Sequence, residues 1–289
     1  MNNIEQSWIK NKICLITGGN AGIGKETARQ LAKLGAKIII VCRNKEKGKF
    51  ALEDIIATTN NPNIELMICD LAQLKDVVRF TQEFKIKYKK LHVLINNAGV
   101  FHMKRTLTSD GYESTFAINH LAHFYLTQEL LPLLQTTDHS RIINLGSDIH
   151  KFFKIKMNDL HLVKRYQGQQ AYSNSKSAMI LFSYKLARDL KETNIKVYAV
   201  HPGHVKTQMT TTGMPKIFLK ISDWVTNQLT PEEGARSSVF AASDNSLSNT
   251  TGVYVSKCKI GKSAKFTYDL DLQEELWKKS IEYNKAILG

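Results

Sequence analysis

The sequence predicts a single-domain α/β fold, a doubly wound parallel sheet of about seven strands with helices on both faces. Three observations carry that expectation. Short apolar runs alternate with stretches of helical spacing along nearly the whole chain, the pattern of parallel strands joined by right-handed helical crossovers. The first apolar run ends in a glycine-rich turn that opens a helix, Gly18-Gly19-Asn20-Ala21-Gly22-Ile23-Gly24. Finally, 289 residues with 43% hydrophobic content can bury one large core, so residues 1–289 read as one domain.

Taken in order, residues 12–17 form a strand, the glycines a turn and residues 25–34 a helix. Such a turn lets backbone approach a pyrophosphate, to which the helix N-terminus offers free amides and a favourable dipole; a tight turn without ligand is the alternative. Residues 37–41 form the second strand, which ends in Cys42-Arg43-Asn44. A protein specific for NAD carries an acidic residue here for the ribose hydroxyls. None is present, and the Arg43 guanidinium matches the oxygens of a 2′-phosphate. NADP(H) is therefore the preferred cofactor and NAD(H) the second choice.

Strands at 64–69, 91–95 and 141–145 alternate with helical stretches at 73–88 and 112–134. Ligands bind beyond the carboxyl ends of such strands, and the polar residues fall there: Asp70, then Asn96-Asn97-Ala98-Gly99, then Ser147. A long helix at 170–192 carries Tyr172 and Lys176, which are four residues apart and so share one face. A nearby ammonium stabilises a phenolate and lowers the phenol pKa, making Tyr172 a general acid or base near neutral pH. The strand at 196–200 ends in His201-Pro202-Gly203, with Val205 and Thr207 following. Residues 208–229 are rich in large apolar side chains and read as a lid for an apolar substrate, with core packing or a dimer contact as alternatives. Thr230-Pro231-Glu232-Glu233 has the form of a capping box. A strand at 252–256 and a helix at 271–287 close the domain.

Composition narrows the function classes. No apolar run reaches the length of a membrane span, and the polar start of the chain lacks the features of a signal peptide, so a cytoplasmic protein is expected. Cys14, Cys42, Cys69 and Cys258 are scattered without metal-ligand spacing, so no metal site is expected. A net charge of +14 favours polyanionic company, but the charge is dispersed and no nucleic-acid motif accompanies it. At most peripheral membrane association is expected, and no specific nucleic acid.

Thr17-Gly-x-x-x-Gly-x-Gly24, Asn96-Asn-Ala-Gly99, Asn119, Ser147, Tyr172-x-x-x-Lys176 and Pro202-Gly203 together resemble the short-chain dehydrogenase/reductase family, a Rossmann-fold family. The chain is similar in particular to the retinol dehydrogenase-like branch, through Val41-Cys42-Arg43-Asn44, residues 91–100, Ile118-Asn-His-Leu-Ala-His-Phe124 and Tyr198-Ala-Val-His-Pro-Gly203. The resemblance implies an oxidoreductase that moves a hydride between a nicotinamide and an apolar alcohol or carbonyl compound. It implies that Tyr172 transfers the proton, Ser147 steadies the substrate oxygen, Lys176 binds ribose and tunes Tyr172, and Asn119 holds a water linking Lys176 to solvent. Gly18, Gly22 and Gly24 would line the pyrophosphate, with Thr17, Asn20, Ile23, Asn44 and Ala98 also at the cofactor. Asp70 and Leu71 would reach the adenine, Arg43 the 2′-phosphate, Asn97 and Gly99 the ribose. Pro202, Gly203, Val205 and Thr207 would approach the nicotinamide. For Asn97 a backbone tie between strands is the alternative. Relatives often form homo-oligomers. Gly146, Ala122 and His204 depart from the branch's usual residues. A non-catalytic NADP(H)-binding sensor or scaffold is the rival reading.

Overall fold

The structure, a computed structural model, describes residues 8–205 and 228–288. Its first half runs β1 (Ile13–Thr17), α1 (Gly22–Lys33), β2 (Lys37–Cys42), α2 (Lys45–Thr59), β3 (Ile64–Ile68), α3 (Leu74–Lys87) and β4 (Val93–Asn96). A one-turn helix α4 (Ser114–Phe116), a π-helical turn at Ala117–Leu121 and α5 (Ala122–Gln135) then lead to β5 (Arg141–Leu145). The remainder is α6 (Gly168–Asp189), β6 (Lys196–His201), α7 (Pro231–Ser243), β7 (Val253–Ser256), β8 (Lys259–Gly261) and α8 (Leu270–Leu288).

The strands form one sheet in the order β3-β2-β1-β4-β5-β6-β7-β8. All neighbours are parallel except β7 and β8. The central strands read as unbroken apolar runs because helices cover both faces. Every residue of β5 is buried, as are the last five of β2 and of β6. One face packs Phe80, Phe84, Leu126, Leu130 and Phe182 under α3, α5 and α6. The other packs Ala28, Leu31, Ile55, Tyr198 and Ala241 under α1, α2 and α7.

The expected strands and helices are present, with three differences. Helix α2, over Lys45–Thr59, was not assigned from the sequence. The eighth strand was not foreseen, because Lys259-Ile260-Gly261 is too short to show a periodicity; it is an edge strand, and its charge and brevity discourage further pairing. The helix expected over 112–134 is interrupted. Glu113, fully buried, accepts from the Thr115 and Phe116 amides at 2.8 Å each and starts the helix late. The chain then widens into the π turn before α5 begins, a local form frequent at functional sites. The capping box at Thr230 forms as expected: Thr230 Oγ1 accepts from the Glu233 amide and Glu233 accepts from the Thr230 amide.

After β3 the chain crosses β1 to lay β4 on its other side. Consecutive loops on either side of that point diverge, which opens a crevice beyond the carboxyl ends of β1 and β4. Most of the segment read as a lid, 208–229, lies outside the described residues, as does Thr207.

Candidate active site

A cleft of about 530 Å³ opens at that switch point, within the usual range for a small-molecule site. Its floor is the turn between β1 and α1. Gly22 has φ +53 and nothing within 4 Å of where a Cβ would stand, so it presents bare backbone to the cleft. Gly24 is required for the opposite reason: a Cβ there would lie 2.3 Å from the Gly18 carbonyl oxygen and from Asn97 Nδ2. The helix that follows has no side-chain cap and no acidic residue in its first turn. Its first amides, left without intrahelical partners, are available to an anion.

Arg43 and Asp70 stand at the ends of β2 and β3 on the same cleft, with Leu71 beside them. Among the described residues Arg43 has no acidic partner and is exposed, so its guanidinium is open to an anionic ligand. Asp70 is held by its own turn, its Oδ1 accepting from the Ala72 amide at 3.0 Å. A bare glycine turn, an uncapped helix end and an unpaired guanidinium match the chemistry of a phosphorylated dinucleotide.

The far wall comes from α6. Tyr172 and Lys176 both line the cleft, and Lys176 Nζ lies 5.7 Å from the centre of the Tyr172 ring. Lys176 is buried and donates to the Leu145 carbonyl at 2.8 Å, which fixes its ammonium at the end of β5. Phe101 meets the Tyr172 ring edge-on at 5.7 Å. The sequence predicts a phenol drawn down by its lysine, but burial dominates here. It pushes the Tyr172 phenol up to about 12 and the Lys176 ammonium down to about 8, because desolvation disfavours each charged form. Near neutral pH the phenol keeps its proton and can give it away.

Ser147 follows β5 in extended conformation. Its Oγ accepts from the Ile149 amide at 3.4 Å, and its proton has no acceptor among the described residues, leaving the hydroxyl free to donate. Two buried histidines frame it. His150 Nδ1 donates to the Ser147 carbonyl at 2.6 Å while its Nε2 accepts from the Ala264 amide at 2.9 Å, and His201 Nδ1 accepts from the Asp148 amide at 3.3 Å. Sequence reasoning missed His150, for which no motif exists.

Several expected cofactor contacts fall elsewhere. Thr17 is fully buried behind the cleft, where its Oγ1 accepts from the Asn97 and Ala98 amides at 2.9 and 3.0 Å. Asn44 caps α2, accepting from the Lys47 amide at 2.8 Å. Both residues are committed to backbone groups and stand outside the cleft lining. Of the other expected site residues, Ser147, Asn119, Gly203 and Val205 also lie off that lining, Ser147 directly after the lining residue Gly146, and Thr207 is outside the described residues. Gly18, Asn20, Gly22, Ile23, Gly24, Asn97, Ala98, Gly99 and Pro202 do line it. Asn97 makes the strand tie as well, donating from Nδ2 to the Thr17 carbonyl at 2.7 Å. Asn119 sits in the π turn with its amide already occupied: Oδ1 accepts from the Val100 amide at 2.7 Å, while Nδ2 reaches the Val100 carbonyl and Ser175 Oγ, both at 3.0 Å. The side chain expected to hold a water is thus a clamp on the loop after β4. Val41, Cys42, Val100, Ile118 and Leu145 also line the cleft. All but Leu145 fall within stretches that carry the family resemblance, but no site role was assigned to any of them from the sequence; their places at the ends of β2 and β5, after β4 and on the π turn bring them there.

Comparison with known proteins agrees with this geometry. The short chain dehydrogenase family profile matches residues 12–216. The chain is 38% identical to retinol dehydrogenase 12 of Mus musculus over 276 residues, 95% of this chain and 86% of that one. It is 37% identical to polyprenol dehydrogenase of Homo sapiens over 280 residues, 94% and 84% of the two chains. A crystal structure of a Mycobacterium paratuberculosis protein superposes with a TM-score of 0.79 at 29% identity, covering 98% of this chain and 97% of the other. The Pseudomonas aeruginosa RhlG/NADP active-site complex shares the fold with a TM-score of 0.70 at 24% identity, over 90% and 97%. The chain belongs to the short-chain dehydrogenase family of oxidoreductases, and within it is retinol dehydrogenase-like.

Proposed function

We propose that the protein is an NADP(H)-dependent oxidoreductase that interconverts an apolar alcohol and its carbonyl compound. The observation that carries this reading is that Tyr172 and Lys176 line the same cleft as the glycine turn, so a proton donor and a nucleotide cradle share one space. Arg43, with no acidic partner among the described residues, supports the phosphorylated cofactor over NAD(H). The apolar substrate class is supported by Val100, Ile118 and Leu145 in the lining and by relatives whose names specify retinol and polyprenol.

In this mechanism the nicotinamide, when bound, supplies or accepts the hydride. Tyr172 Oη gives its proton to the substrate oxygen in the reductive direction and takes it back in the oxidative one. Ser147 Oγ donates a hydrogen bond to the same oxygen, where negative charge develops. The ammonium of Lys176, anchored on the Leu145 carbonyl, stabilises the phenolate left behind. Gly18, Gly22 and the first amides of α1 would hold the pyrophosphate, and Arg43 the 2′-phosphate.

The test is nicotinamide consumption with a panel of apolar aldehydes and ketones, run with NADPH, with NADH and with Tyr172→Phe. Turnover that prefers NADPH and vanishes in the mutant, at nearly unchanged NADPH affinity, is expected. Failure of the pure protein to bind any nicotinamide nucleotide overturns the proposal. Tight binding without turnover across the panel points to the sensor reading.

A further inference from the structure

His123 takes no part in the mechanism above, yet it is fully buried where three segments of the site meet. Its Nδ1 lies 3.1 Å from the Asn119 carbonyl oxygen in the π turn, and its Nε2 lies 2.9 Å from Thr17 Oγ1 at the end of β1. A carbonyl oxygen only accepts, so Nδ1 carries the ring proton. Burial, reinforced by the Lys176 ammonium, holds the ring's pKa down at about 4, so the imidazole is neutral and Nε2 is bare. Nε2 therefore accepts, and the Thr17 hydroxyl donates to it.

That assignment settles the polarity of everything attached. With its proton turned toward Nε2, Thr17 Oγ1 offers its lone pairs to the Asn97 and Ala98 amides, both already within 3.0 Å. The Ile95 carbonyl, at 3.4 Å from Oγ1, is the weaker alternative acceptor. On the other side of the ring, Asn119 uses its side chain to clamp Val100. The turn from Asn97 to Val100 is thus held at one end through Thr17 and at the other through Asn119, with one imidazole joining the two. This turn leaves little tolerance: a Cβ at Gly99 would stand 3.3 Å from Asn119 Oδ1 and 3.6 Å from Lys176 Nζ.

We propose that His123 is a positioning residue that sets the cofactor cradle against the Tyr172 and Lys176 helix, acting through the Thr17 hydroxyl and the Asn119 carbonyl. Its effect on the cofactor rests on the oxidoreductase reading above; its tautomer and its coupling to Thr17 do not.

Two measurements test this. In the full chain, 15N NMR of the His123 ring should show Nδ1 protonated and Nε2 bare near neutral pH; the opposite tautomer or a charged ring would overturn the network without any variant having to fold. Second, NADPH affinity and steady-state kinetics are compared for His123→Phe, Thr17→Val and the double variant. His123→Phe should weaken NADPH roughly ten-fold, the scale of one lost buried hydrogen bond, and Thr17→Val, which also takes the acceptor from the Asn97 and Ala98 amides, by at least as much. The KM for the carbonyl substrate should stay constant, a split that general destabilisation would not produce. The double variant should be no worse than Thr17→Val alone, because His123 acts through the Thr17 hydroxyl. His123→Gln, whose Oε1 can still accept from Thr17, should recover part of the loss. Multiplicative losses of about a hundred-fold in the double variant, or wild-type NADPH affinity in His123→Phe, refute the positioning role. A wild-type chain that binds no nicotinamide would instead sink the oxidoreductase reading, and the ring tautomer would still decide the network.

Discussion

Replacing Gly24 by alanine tests the cradle at its tightest point. The new Cβ would stand 2.3 Å from the Gly18 carbonyl oxygen and 2.3 Å from Asn97 Nδ2, so both must withdraw by about 1 Å to reach ordinary contact. Neither can do so freely. The first is backbone in the turn itself, and the second donates to the Thr17 carbonyl at 2.7 Å. Overpacking costs about 1–3 kcal/mol, and loss of the Asn97 bond adds about 1 kcal/mol. A total of about 2–4 kcal/mol corresponds to a fall in Tm of roughly 3–7 °C in a domain of this size. Because the displaced groups line the cleft, NADPH affinity should fall at least about ten-fold. The assay pairs calorimetry with titration of NADPH, and Gly22→Ala is the control. At Gly22 a Cβ meets nothing within 4 Å, and the backbone has φ +53, so only the left-handed conformation is penalised, by about 1–2 kcal/mol. Gly22→Ala should therefore lose less stability while its methyl intrudes where a phosphate would sit. A Gly24→Ala protein whose Tm stays within about one degree of the wild type and that keeps full NADPH affinity would refute this packing.

Arg43→Ala should weaken NADPH by about 1.5–3 kcal/mol, the scale of a charged hydrogen bond, and leave NADH unchanged; equal losses in parallel titrations would make Arg43 structural. The reductive rate should fall as pH rises through about 8, where Lys176 loses its proton, and a rate that stays flat well above that pH would remove the ammonium from the mechanism. Acid should destabilise the fold in a defined window. His92, His123, His161 and His201 are held down at about 4 by burial, against an ordinary value of 6.5. The unfolded chain takes up these protons first, so stability is flat above about 6.5 and falls as pH drops toward 4; a urea midpoint unchanged from pH 7 to pH 5 would contradict the burial of these rings.

Much of this protein is decided locally and so can be read from the chain. Short apolar runs place seven strands and 3.6-residue periodicity most of the helices between them, because both signals lie within a few consecutive residues. The glycine turn and Tyr172 with Lys176 are equally local: the first depends on the absence of side chains, the second on one helical turn. The capping box at Thr230 likewise closes within four residues. Three-residue β8 and the late start of the helix after Glu113 escaped because neither has a repeat long enough to register. What the tertiary structure alone decided is the state of the groups brought together. The shift of Tyr172 toward 12 and of Lys176 toward 8 is set by desolvation, which depends on every neighbour that excludes water and on no single motif. Thr17 and Asn119 keep their places in the motif, but their hydrogen bonds go to groups 80 and 19 residues away. His123, which in the sequence stands only within a longer motif and without a role, joins them because folding brings Thr17, 106 residues away at the end of β1, within 2.9 Å of its ring. Spacing along a chain carries direction and periodicity, whereas burial and long-range partnership exist only once the sheet has brought its strand ends together.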